Sequence, residues 1–269
     1  MSAIRDIYLR QLQTVMARRA REDLSGSALV FAPHPDDETL GCGGTIIRKR
    51  EIGESVQVVF MTDGSGSHRK FMPAAALSQR RQQEARAAVQ TLGVEAAAVS
   101  FVGFEDGQLE QRAEAVRDRI RTILTEHSPD EVYVTHPKEP HPDHAALYWS
   151  VVAAVSTLPK QPRIYAYPVW YWRHWPWTQL TGQRKRETLN ILKTSLASQL
   201  GTAAFNDFQQ SVYVGEALAQ KKAALSCHAS QMQRFEENPN WPILSDVSGG
   251  DFLDCFFQPY EVFYQPVLC

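Results

Sequence analysis

Residues 27–48, SALVFAPHPDDETLGCGGTIIR, decide the fold. An apolar run, SALVFA, passes through Pro33 into a histidine, two aspartates and a glutamate within five positions, and then into a glycine-rich stretch. Runs that are apolar along most of their length, rather than strictly alternating, suit strands covered on both faces of a parallel sheet. Pro33 biases Ala32 towards an extended conformation, as a strand end requires. A helix from Thr39 to about Glu51 would then open the first right-handed crossover.

Working outward, the same alternation recurs three times and ends on a fifth strand. SVQVVFMT (55–62) precedes a helix over Leu77 to Leu92, and AAAVSFVGF (96–104) precedes one over Glu110 to Glu126. EVYVTH (131–136) precedes a helix over Asp143 to Val155, and RIYAYPV (163–169) is a fifth strand. The pattern predicts an α/β chain, a Rossmann-like three-layer fold with a mainly parallel sheet and a C-terminal extension packed on it. We read 1–269 as a single domain: an N-terminal amphipathic helix in 1–26, the core in 27–170, and the extension in 171–269. Within the extension we expect a polar helical region from Arg184 to Leu200, a helix over Glu216 to Met232, and an aromatic tail.

Composition bounds the partners. A chain of 269 residues with 43% hydrophobic residues can bury a sizeable core. A net charge of -2 supplies no field for a nucleic-acid backbone. The basic clusters at Arg18, Arg19, Arg21 and at Arg184, Lys185, Arg186 read as solvated helix surface. The apolar run from Ala145 to Leu158 is too short to cross a bilayer, and the first residues lack a secretory apolar stretch. The four cysteines form no CxxC pair, which argues against a cysteine-built zinc site and suits a reducing cytoplasm. Oligomeric state is left open.

In doubly wound sheets the ligand crevice lies beyond the carboxyl ends of the strands, so the loops after Ala32, Thr62, Phe104 and His136 carry the chemistry. In the first, His34 and Asp37 are three apart at a helix entrance, with Asp36 between them. In the fourth, His141 and His144 repeat that spacing. Imidazole and carboxylate suit a zinc-like ion, and a site with few protein ligands keeps the open position that catalysis needs. Helix capping and turn chemistry would select either loop alone; they do not explain both loops at one sheet face. The run Gly41, Cys42, Gly43, Gly44 does not match GxGxxG and falls inside the helix, so a dinucleotide site is rejected and close helix-to-strand packing is expected.

HPDDE at 34–38 together with HPDH at 141–144 resembles the PIG-L/LmbE-like deacetylase family, metal-dependent enzymes that remove an acyl group, usually acetyl, from amino sugars. MTDGSGS, the RxxE of Arg81 to Glu84, GFEDGQL and KKAALSCHASQ are similar to that family's subsidiary segments, and the resemblance covers roughly 27–235. Pro33 departs from the small residue often found there. The resemblance implies that His34, Asp37 and His144 bind Zn2+ or Fe2+ and that Asp36 is the general base. His141 would stand beside the developing oxyanion, with Asp143 either orienting His141 or serving as an exposed helix cap.

The partner implied is a small amino-sugar or glycoconjugate substrate. Asp63, Arg81 and Asp106 are the candidate substrate contacts; turn chemistry at Asp63 and surface charge at Arg81 are the competing readings. Glu38 would contact the sheet-end backbone or a substrate hydroxyl, or complement the helix dipole. The aromatic stretch from Tyr165 to Trp177 either packs the extension or lines an acceptor groove, and His228 would reach the pocket if its helix docks at the ligand edge. An amidase on a non-sugar N-acyl compound is the rival reading within hydrolases. A non-catalytic carbohydrate-binding protein would be expected to have lost a ligand or the base, and none is lost.

Overall fold

The computed structural model describes residues 3–178, 193–235 and 238–267. The expected strands all form: β1 (Ala28–Ala32), β2 (Val56–Thr62), β3 (Val99–Phe104), β4 (Glu131–Thr135) and β5 (Arg163–Tyr167). They build one parallel sheet in the order β3-β2-β1-β4-β5. Because side chains alternate across a strand, each strand feeds two cores. Val30, Ala32, Val58 and Phe60 face one side, where α2 (Asp37–Glu51), α3 (Ala74–Thr91) and the extension cover them. Leu29, Phe31, Val59 and Met61 face the other, under α4 (Ala113–His127) and α5 (Pro142–Val155). Helices on both faces of a parallel sheet are the three layers expected.

The order places β1 between β2 and β4. The chain winds one way from β1 to β3 and the other way through β4 and β5, so the crevice lies beyond the carboxyl ends of β1 and β4. Those two strands are the ones that lead into the HPDDE and HPDH loops.

Differences from the sequence reading are local. Helix α2 begins at Asp37 rather than Thr39 and is broken at Cys42 (φ -142, ψ 20). The amides of Gly44 and Thr45, released by that break, donate to the Glu261 carboxylate at 2.7 Å each. Glu261 lies on β7 (Tyr260–Phe263), paired antiparallel with β6 (Gln210–Tyr213) in the extension. The helix expected over Glu216 to Met232 is interrupted at His228, leaving α6 (Leu218–Cys227) and a short turn of helix, Ala229–Met232. Of the polar helix expected from Arg184 to Leu200, residues 193–197 are helical and 184–192 lie outside the described residues.

The cluster at Arg18, Arg19 and Arg21 is not wholly solvated: Arg19 donates to the carbonyls of Phe205 and Phe208, and Arg21 donates to Tyr133 Oη and pairs with buried Glu131. Arg5 is buried as well, donating to Trp177 O and Asp251, so the N-terminal helix α1 (Ala3–Ala17) is pinned to the extension. Among the described residues no helix is long and apolar enough to cross a membrane.

Candidate metal and catalytic site

The two motif loops converge. His34 Nδ1 lies 3.2 Å from Asp37 Oδ2 and 3.2 Å from His144 Nε2, and His144 Nε2 lies 3.3 Å from Asp37 Oδ2. Tetrahedral zinc bonds of about 2.0–2.1 Å imply ligand-to-ligand edges of about 3.3–3.4 Å, so this triangle fits one small divalent ion. All three side chains are buried. The rings of His34, His141 and His144 also bring nitrogens within 4.8 Å of one another, which sets His141 beside the same point.

Carboxylates stand behind both candidate ligand rings. His34 Nε2 lies 3.2 Å from Asp106 Oδ1 and 3.2 Å from Asp143 Oδ2. His144 Nδ1 lies 3.2 Å from Glu139 Oε2. Burial disfavours charge on His144, yet Asp37 and Glu139 outweigh it and push the ring up to about 9. A buried cluster this rich in carboxylate calls for positive charge, and carboxylate-backed histidines are the usual setting of metal ligands.

Asp36 occupies backbone rarely used by L-residues, φ 125 and ψ -26. Its Oδ1 lies 3.3 Å from Arg81 Nη2, which also donates to Pro35 O; Arg81 Nη1 donates to Gly64 O at 2.9 Å. Burial pushes the Asp36 carboxyl up to about 7, with Arg81 opposing and Asp37 adding to the rise. His141 is the N-cap of α5 with Pro142 at the first helical position, which turns the chain so that both histidines face the crevice. Desolvation, reinforced by His34 and His144, pushes His141 down to about 4, so its ring is neutral at pH 7.

Several sequence-based expectations need correction. Asp143 is fully buried, so it is no exposed cap; it accepts from the amides of Gly107 (2.7 Å) and Leu109 (3.0 Å) and faces His34 rather than His141. Arg81 is not surface charge: it is buried and committed to the Asp36 loop, though it also lines the cavity. Asp63 does not line the cavity, since its Oδ1 accepts from the amides of Ser65 and Asp106 in a turn. Asp106 does line it, close to His34. Of the alternatives for Glu38, contact with the backbone beyond the strand end is the one seen: it is buried and accepts the Asp36 amide at 3.0 Å. His228 lies 3.2 Å from Glu38 and is absent from the cavity lining.

Glu139 was missed by the sequence reading. Besides backing His144, it accepts the amides of Val169, Trp170 and Tyr171. The acidic residue between Pro-rich turns in HPKEPHPDH was the available signal, but its partners lie some thirty residues away.

The triangle opens onto a cavity of about 500 Å³. His34, Asp36, Arg81, Asp106 and His141 contribute polar groups, whereas Leu40, Trp170, Ile243, Leu244 and Val247 contribute apolar surface. Most of the aromatic stretch packs the extension: Tyr165, Tyr167, Tyr171, Trp172 and Trp177 are buried, and Trp170 is its one aromatic member at the cavity among the described residues.

A family model described as PIG-L, GlcNAc-PI de-N-acetylase, matches residues 29–155. The chain is 33% identical over 141 residues to a probable N-acetyl-alpha-D-glucosaminyl L-malate deacetylase 2 from Bacillus cereus, covering 50% of this chain and 63% of that protein. It is 33% identical over 132 residues to diacetylchitobiose deacetylase from Thermococcus kodakarensis, covering 48% of each. The matches thus span less than two thirds of those relatives' own lengths. The fold is shared with N,N'-diacetylchitobiose deacetylase from Pyrococcus horikoshii complexed with its inhibitor MPG, with a TM-score of 0.61 and 20% identity over 99% of this chain and 94% of that one. Both motif loops fall inside residues 29–155, the segment that the PIG-L family model matches.

Proposed function

We propose that this protein is a divalent-metal-dependent hydrolase that removes an N-acetyl group from an amino sugar or a conjugate containing one. The observation that carries the reading is the triangle of His34, Asp37 and His144 beside the ionisable, independently held Asp36 in one cavity. The names of the relatives support an amino-sugar substrate.

His34, Asp37 and His144 would hold the ion. When bound, such an ion supplies Lewis acidity and makes water more acidic, with zinc the best match to this donor set and Fe2+ the alternative. The protein's own groups supply the proton traffic. Asp36, with Oδ1 turned to Arg81, offers Oδ2 to take a proton from the water that attacks the amide carbonyl. The protonated carboxyl then returns that proton to the departing amine nitrogen. His141, neutral at pH 7, donates a ring N–H to the oxygen on which negative charge develops. Asp106 and Arg81 are at hand for substrate hydroxyls or an anionic substituent, whereas Asp63 is not.

Incubating the metal-loaded protein with a panel of N-acetylated sugars, glycosides and non-sugar N-acetyl amines, with products read by mass spectrometry, tests the reading. Loss of an acetyl group confined to the sugars supports it. Turnover of the simple amides at equal rates would make the protein a general amidase, and no turnover in the panel would defeat the hydrolase reading.

A further inference from the structure

We propose that His228 and Glu38 form a positioning relay that locks Asp36 in its positive-φ conformation; the inference rests on the reading of Asp36 as the base.

A non-glycine residue at φ 125 and ψ -26 needs its surroundings to hold it. Arg81 grips the Asp36 side chain and donates to Pro35 O, the carbonyl side of the peptide unit that precedes Asp36, which leaves the N–H side of that unit to a second partner. The Asp36 amide is held by Glu38 Oε2 at 3.0 Å, and the Asp36 carbonyl by the Leu40 amide at 2.9 Å. The first of these bonds depends on where the Glu38 carboxylate points. Glu38 is fully buried, and its other oxygen accepts from Thr39 Oγ1 at 2.6 Å and lies 3.2 Å from His228 Nε2. Thr39 is the next residue on the same helix as Glu38, whereas His228 reaches Glu38 from a different element.

The anchor is itself fixed. His228 is fully buried at the break between α6 and the turn Ala229–Met232, where its carbonyl accepts the amides of Gln231 and Met232. Its Nδ1 has no hydrogen-bond partner among the described residues, so the ring's polar contact is spent on Glu38. Two residues on, Ser230 is tied to Glu84 of α3 by its amide (2.9 Å) and hydroxyl (2.6 Å), and its carbonyl accepts Trp241 Nε1. The relay therefore runs from the extension, beyond the family-matched segment, through Glu38 to the backbone of the base. His228 touches neither the cavity nor the ligand triangle, so it is a positioning residue.

Steady-state kinetics on the full chain, with metal content measured for each variant, test the relay. His228→Ala should lower kcat about 10- to 100-fold, as misplacement of a reacting group does, with KM within about twofold and bound metal unchanged. His228→Gln, whose amide nitrogen falls near Nε2, should restore most of kcat; His228→Asn, whose amide falls near Nδ1, should not. Glu38→Ala combined with His228→Ala should cost no more than Glu38→Ala alone, because both act through one bond. A crystal structure of His228→Ala should show Asp36 with negative φ. An unchanged kcat, metal loss in step with kcat, equal rescue by Asn and Gln, or an Asp36 φ still near 125 would each overturn the relay. Wild type that turns over nothing would instead defeat the hydrolase reading, and the crystallographic comparison would still decide the relay.

Discussion

Asp36 combines a raised pKa, a grip by Arg81 and a place beside the ligand triangle. Asp36→Asn keeps the shape and removes the proton acceptor, so deacetylation should fall about 10²- to 10⁴-fold while the ion is retained, read by acetate release and metal analysis. The pH sign follows from the role. A base works ionised, so kcat/KM should fall as pH drops through its pKa; burial sets that at about 7, and a bound cation would lower it. The acid limb of the wild-type profile should therefore lie at or below pH 7, and the residual activity of Asp36→Asn should lack it. Asp143 and Glu139 act one contact further out. Asp143→Asn and Glu139→Gln should each weaken metal affinity about 10- to 100-fold, read by competition with a chelator, because a ligand ring loses its carboxylate support.

Helix α2 is the element on which the site and the extension meet. Its first turn carries Asp37 and Glu38, and its break at Cys42 is paired with Glu261 as an anion cap for the second half. The glycines there are imposed by contact: a Cβ on Gly41 would stand 2.0 Å from the Tyr167 ring, and one on Gly44 would stand 2.6 Å from Val214. Gly41→Ala should cost about 1–3 kcal/mol in denaturant unfolding, the usual penalty for overpacking. Buried Lys221 donates to the carbonyls of Leu40 and Phe256 and to Glu261 at 2.6 Å. Lys221→Met strands a buried carboxylate and should destabilise by about 3–5 kcal/mol. Adding Glu261→Gln should not recover that loss, because both Glu261 oxygens accept from Gly44 and Thr45 and a carboxamide would set an NH2 against one of those donors.

At the scale of the molecule, the candidate ligand triangle ties the loop after β1 to the loop after β4, and Glu139 ties the latter to the core–extension junction at Val169 to Tyr171. A divalent ion should therefore stabilise the whole fold. At a hundredfold excess over Kd it contributes about 2.7 kcal/mol, roughly 5–10 °C in Tm for a domain of this size. Zinc should raise the melting temperature of chelator-treated protein by that amount, and His144→Ala should remove the shift. The sheet, its parallel sense and the face that carries the chemistry were legible in the sequence, because apolar runs and the charged loops after them are local signals. Residues 34–38 and 141–144 marked the candidate site for the same reason, being short, dense and placed at strand ends, and the family resemblance supplied the proposed ligands and base. Long-range partners are not written in local spacing. That Asp143 backs His34 rather than His141, that Arg81 is buried under the HPDDE loop, that Asp63 serves a turn, and that Glu139 joins His144 to an aromatic segment were decided by packing. Each is a buried charge whose partner lies on another element, and only the tertiary structure chooses which unpaired groups must meet.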